Sequence, residues 1–137
     1  MYLETSEYYK NNPSHKLTLP FGTFYLFEKF YASEINEGEH LTYEKLRLLM
    51  VELIGFYGKN TKLGFIANRI HSYSTDPGCY NRIDDEFNII IASAFVVYNN
   101  FAFGNASLEK QLTKKKIKRC TSISQAITWI LNLKELN

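Results

Sequence analysis

The chain has 137 residues, with 16 Lys+Arg against 14 Asp+Glu, a formal net charge of +2, 45% hydrophobic and 22% charged residues. That length holds one ordinary domain, the composition excludes a disordered chain, and the near-neutral charge excludes a polycation built for nucleic acid. Two cysteines, Cys79 and Cys120, exclude a disulfide framework and a Cys-based zinc site, which leaves the aromatic share of 15% as the unusual figure.

Residues 1–14 are polar and tyrosine-rich and read as a loose N-terminal leader ahead of a single domain over 15–137. Lys16 to Leu19, Thr23 to Phe27 and Phe30 to Ile35 are short aromatic-rich runs punctuated by Pro20, Gly22 and Asn36-Glu37-Gly38, the pattern of antiparallel strands. Thr42 can cap a helix in which Leu46, Leu49, Met50, Leu53 and Tyr57 make one apolar stripe, and Gly58 stands where a terminator belongs. Leu63 to Ile70 reads as a buried strand. Asp76-Pro77 is a helix-start signature for a short helix through Ile83, and the uncharged run from Phe87 to Tyr98 reads as a central strand buried on both faces. A polar helix from Asn105 or Ser107 through Lys115, a short strand over Ile117 to Thr121, and a Ser122–Gln125 capping box before a last helix complete the chain. Ile123, Ala126, Ile127, Ile130 and Leu131 form that helix's inner face.

The order is β-β-β-α-β-α-β-α-β-α, which predicts an α/β fold: a mixed sheet of about five strands with four helices. The first ten residues carry two acids and no apolar run, and the longest apolar stretch, Ile89 to Tyr98, is about half of what a membrane-spanning helix needs. The sequence therefore reads as cytoplasmic, with no membrane span.

Polar functional groups are densest in Asn68-Arg69-Ile70-His71-Ser72-Tyr73-Ser74-Thr75-Asp76, between a strand and a helix, where anions and ligands collect in open α/β sheets. Ser72 and Ser74 are the candidate phosphorylation or anion-binding positions. Asn68, Arg69, His71, Tyr73 and Asp76 are the candidate loop contacts. Cap and turn chemistry explains most of the same residue types. His71 is the histidine nearest to other functional side chains, with Ser72, Asp76 and Cys79 in reach of a base role and Arg69 of an anion clamp, but sequence proximity does not build a catalytic trio. His15, His40 and His71 fit no metal spacing, and Gly55, Gly58 and Gly64 fit no phosphate loop, so no metal and no cofactor is read. The basic run Lys114 to Arg119 suits an edge strand protected by lysines better than a phosphate-backbone site. Phe21, Phe24, Tyr25, Phe27, Phe30 and Tyr31 crowd the first strands. Alternation turns some inward and leaves Tyr25 and Tyr31 for a contact surface, which would suit a homodimer, or for an apolar groove.

The element order, together with Gly64-Phe-Ile-Ala-Asn68-Arg69-Ile-His71-Ser72-Tyr73-Ser74 and the helix after it, resembles the STAS-like domains, the sulfate-transporter and anti-sigma-factor-antagonist group, whose broad branch includes the Sec14-like lipid binders. The resemblance spans about residues 15 to 134 and is mainly topological. It is similar in particular to small uncharacterised bacterial proteins with an Asn-Arg-Ile-x-Ser-Tyr-Ser stretch. In anti-sigma antagonists a kinase partner phosphorylates a serine at the start of the helix that follows this strand. By position the resemblance implies that role for Ser72 or Ser74, although the Asp-Ser pair of those proteins is replaced here by Ser-Tyr-Ser-Thr-Asp-Pro. The expected function is a non-enzymatic regulatory domain that binds a protein partner through this loop, switched by serine phosphorylation. The alternative is a small-molecule or lipid-binding module with an aromatic-lined pocket for an apolar ligand.

Overall fold

The computed structural model describes residues 1–99 and 115–136. The short aromatic runs become strands β1 (His15–Leu19), β2 (Gly22–Leu26) and β3 (Phe30–Ile35), followed by β4 (His40–Leu41), β5 (Leu63–Asn68), β6 (Ser74–Thr75), β7 (Ile90–Val96) and β8 (Lys116–Cys120). The helices are α1 (Glu7–Asn11), α2 (Tyr43–Tyr57), α3 (Cys79–Phe87) and α4 (Ile123–Leu131). The main sheet has six strands, not about five, in the order β1-β2-β3-β5-β7-β8. The pairs β1–β2 and β2–β3 are antiparallel, and every later pair is parallel. β4 and β6 form a separate two-stranded parallel pair. The polar helix expected from Asn105 or Ser107 lies outside the described residues.

Local signals fix the helix ends. Thr42 Oγ1 accepts the Lys45 N–H at 3.3 Å, and Gly58 ends α2 at φ +96° and ψ 159°, a conformation that is essentially glycine-only. Ser122 Oγ accepts the Gln125 N–H at 3.1 Å, while the Gln125 side chain accepts the Thr121 N–H at 2.9 Å, a reciprocal cap on α4. α3 departs from expectation at both ends. It starts at Cys79 behind a left-handed Gly78, because Ser74–Thr75 is used in β6 and Asp76 faces His40; it runs on to Phe87 and stops at a left-handed Asn88.

Both faces of the sheet are covered. On one face Tyr31, Phe65, Phe95 and Ile35 pack against Leu46, Leu49, Met50 and Leu53 of α2 and Ile83 of α3. On the other, Ile66, Ala92, Ala94 and Val96 pack against Ile123, Ala126, Ile127 and Ile130 of α4, with Leu131 partly buried at its edge. Small residues let α4 sit close to this second face: a Cβ on Gly64 would lie 2.7 Å from Ile130 Cγ2. The two thiols divide between the layers, Cys79 in the first core and Cys120 in the second, both buried and unbridged.

Residues 1–14 are not a loose leader. Leu3 is fully buried in the second core, and α1 brings Tyr8 over Phe27 and Phe30. Two carboxylates hold the segment. Glu34 Oε2 accepts the Leu3 N–H at 2.7 Å, and Glu4 accepts the Tyr25 hydroxyl and pairs with Lys16. Tyr25 and Tyr31 are accordingly buried, Tyr25 under this segment and Tyr31 stacked on Phe65. The aromatics of the first strands thus furnish no dimer surface; the exposed large apolar side chains are others, among them Leu48, Val51 and Phe56 on α2. The basic residues Lys116 to Arg119 fall on β8, an edge strand, as edge protection requires.

Two outcomes follow from this packing. Gly64→Ala should lower stability by about 1–3 kcal/mol in chemical denaturation, with part restored by adding Ile130→Val, because the clash is overpacking rather than backbone strain. Leu3→Ala should cost about 2–4 kcal/mol in the same assay; a loose leader would give no change.

Candidate functional site

Because β3 and β5 are parallel neighbours, the loops that follow them leave the same end of the sheet side by side. The β4–β6 pair is made where they meet, with His40 opposite Ser74 and Leu41 opposite Thr75. Gly38 donates its N–H to Ser72 O at 2.8 Å, Ser74 to Glu39 O at 3.0 Å, and Asp76 to Leu41 O at 2.9 Å. Side chains repeat the tie. Glu37 Oε2 accepts the Ser72 N–H at 2.8 Å, and Lys45 Nζ bridges Glu39 Oε1 at 2.9 Å and His40 O at 2.8 Å. The two loops form one rim.

This rim divides the predicted residues into a buried and an exposed set. Asn68, Arg69 and Tyr73 are buried. Asn68 donates to Glu34 Oε2 at 2.7 Å and to Met1 O at 2.9 Å, and accepts the Tyr98 hydroxyl at 2.6 Å, so it locks the end of β5 to the N-terminal segment. Burial pushes the Tyr98 hydroxyl up to about 12, which keeps it a donor. Arg69 is no surface clamp for anions: its guanidinium lies 4.4 Å from the Tyr73 ring centroid and donates to Tyr73 O at 3.4 Å. Ser72 and Ser74 are exposed, and His71 is partly exposed against the Tyr2 ring at 6.0 Å. Neither serine sits at a helix N-terminus, since α3 begins only at Cys79.

The histidine that meets functional partners is His40, not His71. Its Nδ1 lies 2.6 Å from Ser74 Oγ and its Nε2 lies 2.5 Å from Asp76 Oδ1, with the His40 and Asp76 side chains each 49% exposed. No local spacing marks this trio, because His40 lies on the other loop. Glu34, the buried carboxylate beneath the rim, was equally invisible. The nearest signal was the charge placed in an otherwise apolar strand.

Below the rim, between the sheet and the helices α2 and α3, lies a cavity of about 40 Å³ lined by Tyr31, Ser33, Phe65, Asp84, Ser93 and Phe95 among others. That is room for about one water, well short of a lipid chain. Burial there raises the Tyr31 hydroxyl well above its ordinary value and lifts Asp84 from 3.8 to about 6, against the attraction of Lys115. Among the described residues, no group of three or more His, Cys, Asp or Glu is placed to hold a metal ion, and no helix is long and apolar enough to cross a membrane.

A crystal structure of an uncharacterised protein of the DUF3478 family from Shewanella loihica PV-4, described as having a SpoIIAA-like fold, superimposes with a TM-score of 0.53. The match covers 86% of this chain and 92% of that one at 10% sequence identity. The fold is SpoIIAA-like. This agrees with the STAS-like topology expected from the sequence, and it establishes the fold alone. No family model matches the chain, and no curated protein does.

The Asp84 carboxyl gives this region a pH signature. Its folded pKa, about 6, exceeds its ordinary 3.8, so the folded state holds that proton where the unfolded chain has lost it. Stability from this group is present below about pH 4 and is lost as pH rises to about 6. Asp84→Asn should therefore raise the melting temperature at pH 7.5 and flatten its slope between pH 4 and 6; an unchanged slope would remove the assignment.

Proposed function

We propose that the chain is a regulatory or protein-interaction domain whose contact face is the rim formed by residues 36–42 and 69–76, and that negative charge added at Ser72 or Ser74 switches that contact. The observation that carries this reading is the exposure of both hydroxyls on a rim where two loops are cross-tied through those same residues. Altering either serine alters both loops at once, which is what a switch requires. The STAS-like topology supports the reading by analogy, as fold likeness carries no function by itself.

The setting of both serines differs from the helix start that the resemblance implies. A phosphate at a helix N-terminus would be stabilised by the backbone N–H groups, but here Ser72 hydrogen-bonds the Glu37 carboxylate and Ser74 shares His40 with Asp76. Charge at Ser72 repels Glu37 and opens the rim, so in this reading phosphorylation releases the contact held by the closed loops.

Phosphopeptide mapping of the chain purified from its native host tests the modification, with phosphate expected at Ser72 or Ser74. An unmodified loop, together with full partner binding by the Ser72→Ala/Ser74→Ala double variant, would sink the switch. Ser72→Glu tests the mechanical part in isolation. Amide exchange at Gly38, Ser72 and Ser74 should accelerate by about tenfold, the equivalent of losing roughly one hydrogen bond's ~1.4 kcal/mol, while exchange in β5 and β7 stays as it was.

A further inference from the structure

Three side chains on the rim make a relay whose chemistry the interaction reading does not use. Asp76 Oδ1 lies 2.5 Å from His40 Nε2, and Ser74 Oγ lies 2.6 Å from His40 Nδ1. An ionised carboxylate can only accept a hydrogen bond, so the contact with Asp76 fixes the imidazole proton on Nε2. Nδ1 then carries the lone pair and faces the serine, and Ser74 donates its O–H to it. The result is a hydroxyl whose proton is already directed at a base, with a carboxylate behind that base to stabilise the imidazolium it becomes.

The backbone holds this geometry. His40 and Ser74 are register partners in the β4–β6 pair, the Ser74 and Asp76 N–H groups are bonded to Glu39 O and Leu41 O, and Lys45 Nζ anchors the His40 carbonyl. Two of the three residues stand two apart on one short extended segment and the third comes from the facing loop. The relay therefore exists only while the two loops are paired. It also lies open to solvent: His40 and Ser74 are exposed.

We infer that Ser74 is an activated nucleophile, with His40 as its general base and Asp76 as the residue that positions the base, and that it takes the acyl group of small activated esters. Ser74 Oγ attacks the ester carbonyl carbon as its proton passes to His40 Nδ1. The tetrahedral adduct collapses, the carbon–oxygen bond to the leaving alcohol breaks, and His40 returns the proton to the departing oxygen. Acyl-Ser74 and free alcohol result. Water, deprotonated by the same imidazole, then releases the carboxylic acid and restores the serine. The exposed position of Ser74 and His40 suits a small donor that reaches them directly from solvent. This activity goes beyond the switch reading and stands or falls separately, because a kinase brings its own base to a serine.

The full chain treated with p-nitrophenyl acetate, and in parallel with a fluorophosphonate, provides the test, with adducts located by peptide mass spectrometry. Within the wild-type chain, Ser74 should react at least about 100-fold faster than Ser72, the lower end of what a positioned general base supplies. His40→Ala should bring Ser74 to the rate of Ser72. Asp76→Asn should slow it and Asp76→Glu should restore part of the rate, with melting temperatures read alongside so that a loosened rim is not mistaken for lost chemistry. Equal rates at Ser74 and Ser72 in the wild type overturn the inference, as do adducts confined to His40 or to lysines. The wild-type ratio needs no variant, so a substitution that unfolds the rim leaves the test intact.

Discussion

The parallel pairing of β3 with β5 is the constraint on which the rim of this molecule depends. Antiparallel neighbours would send their following loops to opposite ends of the sheet. Parallel ones release residues 36–42 and 69–76 together, and the β4–β6 ladder, the Glu37–Ser72 bond and the His40–Ser74–Asp76 relay all follow from that adjacency. The sheet order brings this about: the antiparallel hairpins β1–β2–β3 occupy one side, and each later crossover adds a parallel strand to the other. The rim is thus a product of topology before it is a product of any side chain.

Beneath it a small set of buried polar groups joins parts of the chain that no local preference would bring together. Glu34 satisfies the Leu3 N–H and the Asn68 amide, Asn68 in turn receives Tyr98, and Met1 O receives Asn68. Every bond in this group crosses between elements, so the start of the chain, two central strands and the segment after β7 share one network. A buried carboxylate is tolerated because its oxygen is bonded twice. Removing it would orphan two donors at once, which makes Glu34 a structural residue despite its charge.

Much of the fold was legible in the sequence because its signals are local. Thr42, the Leu46–Leu49–Met50–Leu53 stripe, Gly58 and the Ser122–Gln125 cap depend on spacings within a few residues, and each is seen in its expected place. Phe30 to Ile35 matches to the residue. What failed was long-range. Alternation leaves Tyr25 on β2 and Tyr31 on β3 for an outward face but does not reveal that residues 1–14 cover the one and helices the other. Asp76-Pro77 carries a genuine cap signature, yet the acceptor was claimed by His40 from 36 positions away and α3 began later. Within the candidate segment, Ser72 and Ser74 are exposed while Asn68, Arg69 and Tyr73 are buried, a division that long-range packing decides. The histidine that contacts Ser74 is His40, 34 positions away, whereas nearness in sequence pointed to His71.

The division of the two thiols between the layers gives the molecule an internal gauge of its own breathing. Cys79 is buried in the layer of α3 and Cys120 in the layer of α4; burial raises the Cys120 thiol above its ordinary value and leaves it slow to react while that layer is closed. Each sulfur thus becomes reactive through a different opening. Lifting α3, the helix that follows the rim, exposes one, and loosening the opposite face, where the N-terminal residues dock, exposes the other.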